Sequence, residues 1–394
     1  MKILAIETSC DDTGIAILEV SKTGDFAVKA NVIASQVKIG KKYGGVYPMM
    51  AKREHQKNIL PALISALEKA RMLKKPDKSP KEHFDGPATI SLEASLGAVL
   101  EREPELLKKI IPFFKKYEKP DVDLISVTNG PGLEPCLWVG INFAKCLSYF
   151  WNIPIVPVNH TESHILVNTL ENKNIKFPAI ALVVSGGHTQ IILVKGKPHF
   201  AKASRGAYKI LGETRDDAAG ECFDKCAKIL GLGYPGGPII SKLAVKSVGC
   251  RTSHRLPRPM MGSGDYDFSF SGLKTAVLYQ VKKDKNNSME LFNKEYKMKM
   301  AAEIQQAIID VLIKKTIKAG TDYKAKTIIL GGGVSANQEL RKQFLEFSNE
   351  FKIIFPKPEL STDNGLMIAI AGFYHKNKIT NWKKISANGN LRIN

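Results

Sequence analysis

A duplicated α/β fold is what the order of apolar and glycine-rich segments predicts. In the first half, an apolar strand at 123–128 ends in Asn129-Gly-Pro-Gly132, followed by a helix over about 137–151 and a strand at 153–158. In the second half, residues 326–330 end in Gly331-Gly-Gly-Val-Ser-Ala-Asn337, followed by a helix to about residue 350 and a strand at 352–355. Strand, glycine turn, helix, strand is a βαβ unit, whose handedness lays two parallel strands side by side. Each half also carries two strands around a polar turn: 2–7 and 15–20 around Thr8-Ser-Cys-Asp-Asp-Thr-Gly14, and 179–184 and 190–194 around Ser185-Gly-Gly-His-Thr189. This repetition places the expected ligand in a cleft between the halves, against the glycine turns.

Composition agrees with a globular chain of two or three domains. Its 394 residues are 44% hydrophobic and 24% charged. No run of about 18 apolar residues could span a bilayer, and residues 1–7 enter a strand without a basic leader, so a cytoplasmic location and no membrane contact are expected. The six cysteines (Cys10, Cys136, Cys146, Cys222, Cys226, Cys250) are too scattered for a disulfide framework and read as reduced thiols. A formal charge of +20 points to an acidic partner, nucleic acid first.

Taken in order, the tip at residues 8–14 could hold phosphates through N–H and hydroxyl groups, with Asp11 or Asp12 placed for a metal or a proton. A basic segment at 36–47 precedes a helix over about 49–72, with His55, Ile59, Leu60, Leu63 and Leu67 on its apolar stripe. From Leu73 to Lys119 the texture becomes charged and broken by proline. This stretch is expected to be a protruding insertion, with basic clusters at 74–81 and 108–119, and 104–117 a short amphipathic helix. The first lobe is expected to span 1–158 and the second 159–394, with the last helix free to pack back on the first. A helix is expected to start within 212–224 and run to Leu230, where Tyr234-Pro-Gly-Gly-Pro238 makes a turn; residues 265–274 are expected to form a half-buried strand and turn.

The chemistry centres on Asn159-His-Thr-Glu-Ser-His164, just after the strand at 153–158. Positions four apart on a helix lie within about 40° of each other, so His160 and His164 can face one metal ion. Glu162 falls roughly on the opposite face, unlike the glutamate of a His-Glu-x-x-His protease. Near the end, Asp363 and Asn364 head an apolar helix after the last strand of the second half, as His160 follows the last strand of the first. The repeat therefore predicts that Asp363 faces the two histidines across the cleft as a third ligand. Two histidines and a carboxylate with open positions suit a divalent metal, iron or zinc.

The motifs Glu7-Thr-Ser-Cys-Asp11, Asn159-His-Thr-Glu-Ser-His164, Val184-Ser-Gly-Gly-His-Thr-Gln190, Gly220-Glu-Cys-Phe-Asp-Lys225, Tyr234-Pro-Gly-Gly237, Asp267-Phe-Ser-Phe-Ser-Gly-Leu-Lys274, Gly332-Gly-Val-Ser-Ala-Asn337 and Thr362-Asp-Asn364 together resemble the TsaD family, in order and over almost the whole chain. That family provides the catalytic subunit for threonylcarbamoylation of tRNA. The resemblance implies a two-lobe, actin-like fold of the sugar-kinase, RNase H-like type. It implies one divalent metal per subunit, iron before zinc, on His160, His164 and Asp363. It further implies that Val183, Val184, Ser185, Gly186, Gly187, Asp224, Gly237 and Asn337 hold threonylcarbamoyl-AMP, with Asp11 near the reacting groups. The implied acceptor is the exocyclic amine of the adenosine 3′ to the anticodon in tRNAs reading ANN codons. A TsaB-like subunit and a TsaE-like ATPase are the implied partners. Two departures stand out: the stretch 73–119, absent from short bacterial members, and Glu134-Pro135, where small residues are expected after the Gly-Pro-Gly turn. The alternatives weighed are a metalloprotease of the glycoprotein endopeptidase kind, against which Glu162 argues, and an actin-like small-molecule kinase.

Overall fold

The computed structural model describes residues 1–76, 92–196, 207–247, 255–287 and 293–393. It divides into two compact units. The first comprises Met1–Gln36, Val46–Leu170 and Asp363–Arg392; the second is chiefly Glu171–Thr362, joined by Val37–Gly45. The division after Leu170 lies twelve residues beyond the expected one at Val158, because the helix carrying the histidines stays with the sheet that delivers it.

The first unit is built on a five-stranded sheet in the order β3-β2-β1-β4-β5, from β1 (Lys2–Glu7), β2 (Asp12–Val20), β3 (Phe26–Ser35), β4 (Leu124–Gly130) and β5 (Ile155–Asn159). β1, β2 and β3 pair antiparallel, while β4 and β5 run parallel to β1. Central strands covered on both faces read as continuous apolar runs, and Ile3 to Ile6 are wholly buried. The chain passes through α1 (Val37–Tyr43), counted with the second unit, into α2 (Pro48–Lys69). Pro48 opens α2, where its missing N–H costs nothing, and Ala51, His55, Ile59, Ala62 and Ala66 follow at helical spacing on the buried side.

Two short helices, α3 (Leu92–Val99) and α4 (Pro104–Lys116), lead back to β4. They correct the expectation of a protruding insertion over 73–119. Leu96, Leu100, Leu106, Ile110, Phe113 and Phe114 are part of the first unit's core, and Phe114 stacks on Phe150 at 3.9 Å. The buried Glu103 accepts a hydrogen bond from Asn142 Nδ2 at 2.9 Å and faces Lys52. Charge composition hid this, because the lysines of α4 sit on one side of a strongly two-faced helix whose other side is aromatic. Residues 77–91, with Lys78 and Lys81 of the expected basic cluster, lie outside the described residues. Glu134-Pro135 does not disturb the next helix: α5 (Glu134–Trp151) starts there, with proline tolerated in its first turn. The unit closes with α6 (His160–Leu166), a 3-10 turn at Val167–Leu170, and the returning C-terminal helix.

The second unit repeats the plan. Its sheet runs β8-β7-β6-β9-β10, from β6 (Ala179–Val184), β7 (Thr189–Val194), β8 (Tyr208–Glu213), β9 (Thr327–Gly331) and β10 (Lys352–Ile354). The antiparallel triple and the parallel pair match those of the first unit strand for strand. One strand order used twice is the duplicated actin-like α/β fold. Between β8 and β9 lie α7 (Ala219–Ile229), α8 (Gly236–Val245), α9 (Ser271–Asn287) and α10 (Lys294–Asp322); after β9 come α11 (Gln338–Leu345), α12 (Pro358–Ser361) and α13 (Gly365–Tyr374), the last belonging to the first unit. The strand expected at 265–274 is a single bridge, Thr214 to Phe268, followed at once by α9. Asp216 accounts for the change. Its carboxylate accepts the Ser269 and Ser271 hydroxyls, both at 2.6 Å, and the Phe270 N–H at 2.8 Å, and so starts the helix.

Candidate functional site

The donor cluster lies wholly in the first unit. β5 ends at Asn159, whose side chain accepts the Glu162 N–H at 3.0 Å and caps α6, so the helix opens on His160 and brings His164 round to the same side. Asp363 arrives from α13. Asn364 caps that helix by accepting the Met367 N–H at 3.0 Å, which leaves the neighbouring aspartate for other work. Glycines make the approach possible: a Cβ on Gly14 would stand 2.6 Å from Gly365 N, and one on Gly365 2.6 Å from Ala16 N, so α13 starts directly against β2.

The ligand atoms of His160, His164 and Asp363 lie within 4.8 Å of one another. Asp363 Oδ1 is 3.2 Å from His164 Nε2 and 3.5 Å from His160 Nε2. All three donors therefore sit in one unit, and the expectation of a carboxylate reaching across a cleft is corrected. The repeat suggested the cleft; the return of α13 supplies the carboxylate from within.

Behind the donors stands a layer that the motifs contained but spacing did not single out. His160 Nδ1 is 3.0 Å from Ser9 Oγ and 3.3 Å from Glu7 Oε2. Glu7, wholly buried, also accepts the Ser9 N–H and the Thr128 hydroxyl, each at 2.5 Å. A histidine held at one ring nitrogen by a carboxylate presents the other nitrogen in fixed orientation, the usual support for a metal ligand. The available signal was a glutamate closing the buried apolar run Ile3 to Ile6, where a charge persists only if paired.

Electrostatics follow from these distances. Burial works to lower the pKa of His160, but the carboxylates of Asp363 and Glu7 outweigh it and hold the ring at about 9. Burial likewise opposes the charge on Glu7, yet His160 keeps its carboxyl below the ordinary glutamate value. Asp11 is raised, first by burial and then by Asp363. Asp12 is pushed up to about 7 by burial, and it is tied to Ser35 and Gln36. Glu162 points away from the donors, its Oε2 2.7 Å from His375 Nε2, so it cannot serve there as the base of a peptidase. The residues fit a cation: two imidazoles and a carboxylate, one ring braced from behind, and a buried His164 Nδ1 that has no hydrogen-bond partner among the described residues.

The residues expected to hold a nucleotide fall in the second unit. Val183 and Val184 end β6, buried, and the turn Ser185-Gly186-Gly187 beyond them exposes both glycines. Ser185 Oγ accepts the His188 N–H at 3.1 Å. Gly332, at φ 84°, lies so close that a Cβ would stand 2.4 Å from Val184 O; one on Gly220 at the start of α7 would stand 2.6 Å from Ser185 O. Two turns and a helix start thus converge at the carboxyl ends of β6 and β9, where open α/β sheets bind ligands. Asp224 and Asn337 carry structural duties as well. Asp224 Oδ1 accepts the Gly236 N–H at 2.6 Å at the head of α8, whereas Asn337 caps α11 through the Leu340 N–H at 3.0 Å and donates to Gln305 at 2.8 Å. Gly237 stands one residue past the tight position, Gly236. Of the cysteines, Cys136, Cys146, Cys222 and Cys226 are buried free thiols and Cys10 is partly exposed. Among the described residues no helix is long and apolar enough to cross a membrane.

Comparison with known proteins gives a consistent result. A family model described as TsaD, tRNA N6-adenosine threonylcarbamoyltransferase, matches residues 27–77 and 104–370. The unmatched gap is 78–103, so α4 is family structure and the extra segment is shorter than expected. A protein of that name from Thermosipho africanus is 41% identical over 100% of both chains. Another from Thermosipho melanesiensis is 42% identical over 95% of this chain and 94% of its own, and one from Fusobacterium nucleatum is 40% identical over 97% and 94%.

Proposed function

The chain belongs to the TsaD family, and we propose that it transfers a threonylcarbamoyl group from threonylcarbamoyl-AMP to the N6 amine of the adenosine 3′ to the anticodon in tRNAs reading ANN codons. The observation that carries the reading is a match over the full length of relatives named for this transfer, together with a His160, His164, Asp363 cluster in the same chain. In the reaction the amine attacks the carbamoyl carbonyl, a C–N bond forms, the C–O bond to phosphate breaks, and AMP leaves with the electron pair. We assign the AMP half to the turns around Val183, Val184, Ser185, Gly186 and Gly187, with Asp224, Gly237 and Asn337 around them. Gly186 and Gly187, exposed and without side chains, let a phosphate approach the backbone there. We assign the amine proton to Asp11, a role that its raised pKa supports.

His160, His164 and Asp363 would hold one divalent cation, iron before zinc by donor type. When bound, such a cation supplies Lewis-acid polarisation and a fixed point for the threonyl end. Glu7 and Ser9 keep His160 turned toward it. Donor and acceptor imply a cytoplasmic enzyme, with a TsaB-like subunit and a TsaE-like ATPase as its partners.

The experiment is direct: incubate the chain and those partners with threonine, bicarbonate, ATP and tRNA, and analyse the nucleosides by mass spectrometry. Threonylcarbamoyladenosine should appear and should disappear with a chelator. Peptide cleavage or phosphorylation of a small substrate in place of that nucleoside would overturn the reading.

A further inference from the structure

We propose that the outward face of α9 is a contact for unpaired RNA, on which Tyr279 stacks a base while Lys282 and Lys283 meet the flanking phosphates. At about 100° per residue, Gly272, Thr275, Tyr279, Lys282, Lys283 and Asn286 fall within a single arc of roughly 100°. Each of them is exposed. Leu273, Val277 and Val281 lie on the opposite side, buried in the second unit's core, so the face is not core turned outward.

The composition of the arc selects the occupant. Tyr279 is 66% exposed, and no other large apolar side chain shares the arc with it. Protein-docking faces present a contiguous apolar centre, which is missing here. A lone ring between cations is instead the pattern of base stacking, because every base has a π-face and every nucleotide a phosphate.

Charge points the same way. The helix's acid, Asp284, is turned inward, where it accepts the Tyr296 hydroxyl at 2.7 Å and Gln280 Nε2 at 2.9 Å. Among the described residues Lys282 and Lys283 have no carboxylate partner. The face is therefore positive without compensation, on a chain whose formal charge is +20. From Thr275 to Asn286 it runs about 17 Å, room for a short run of nucleotides. The inference rests on the tRNA reading and adds to it which surface of the second unit meets an unpaired loop.

The test uses the full chain with its partners and a tRNA transcript, and reads tRNA affinity over a salt series. Replacing both Lys282 and Lys283 by Ala should lower the slope of log affinity against log salt by about 1.4, at roughly 0.7 for each contact to a single strand. Tyr279→Ala should weaken binding roughly 5- to 150-fold with the slope unchanged. Tyr279→Phe should restore it, since stacking needs the ring and not the hydroxyl. Thermal melting of each variant separates a lost contact from a lost fold. Wild-type affinity and slope in the variants, with transfer intact, overturn the α9 contact and leave the transferase reading standing; so does a variant that loses only a protein partner. A wild-type chain that neither binds nor modifies tRNA overturns both.

Discussion

His160 is where protonation and metal binding meet. With its pKa at about 9 between Asp363 and Glu7, the ring carries a proton at neutral pH when no cation is present. A cation at Nε2 must displace that proton. Apparent metal affinity should therefore rise about tenfold per pH unit up to about pH 9 and then level off, with one proton released per ion. Calorimetry in buffers of different ionisation enthalpy would count it, and a pH-independent affinity would remove His160 from the ligand set. The metal-free protein has the opposite trend, because a histidine whose pKa is raised by folding stabilises most below its ordinary value of 6.5 and loses that contribution as pH climbs toward 9. Glu7→Gln should keep the side chain's size but remove the charge and one of the two accepting oxygens behind His160, weakening metal binding about 10- to 100-fold with the fold retained. Unchanged affinity would make Glu7 a structural residue only. The histidine pair was legible because helical spacing is a sequence property. Glu7 and Ser9 were not, since their relation to His160 spans about 150 residues and exists only once β1, β4 and β5 lie side by side.

Among elements, the turn after β9 shows how one residue can serve fold and ligand together. Asn337→Ala removes the cap of α11, about 1 kcal/mol, and leaves Gln305 without its donor, a further 1–3 kcal/mol. Asn337→Asp keeps a capping oxygen. If Asn337 also holds the adenylate, Asn337→Asp should stay folded yet lose nucleotide affinity, as read by melting and titration in parallel. Nucleotide affinity that survives in Asn337→Asp confines the residue to capping. Gly332→Ala, forced into φ 84° against Val184 O, should cost about 1–3 kcal/mol of stability. A melting temperature equal to wild type would show that the β6 and β9 turns are not in contact in solution. Strands and glycine turns were predictable because apolar runs broken by glycine are local signals. Helices α9 and α10 were overlooked for a physical reason: lysines punctuate their apolar residues, and α9 begins at a cap supplied by Asp216, more than fifty residues earlier.

For the whole molecule, the repeat was readable from element order, but its closure was not. The chain leaves the first unit after Leu170, builds the second, and returns as α13 to pack against β1 and β2. Leu366, Met367, Ile368 and Ile370 are buried there, at about 1.5–3 kcal/mol each. A chain ending at Thr362 should lose both Asp363 and this packing, so its first unit should melt early and bind no metal. Cooperative unfolding and stoichiometric metal in that truncation would contradict the picture. The same return sets a timetable for synthesis. His164 and Asp363 are 199 residues apart, and at roughly 5–20 residues per second the ribosome needs about 10–40 s to travel between them. Throughout that interval the nascent histidines lack their carboxylate. A message cut short between the codons of Ile354 and Asp363 therefore yields a protein with the strands of both sheets and no complete cation site, so that reading as far as Asp363 becomes a condition for chemistry.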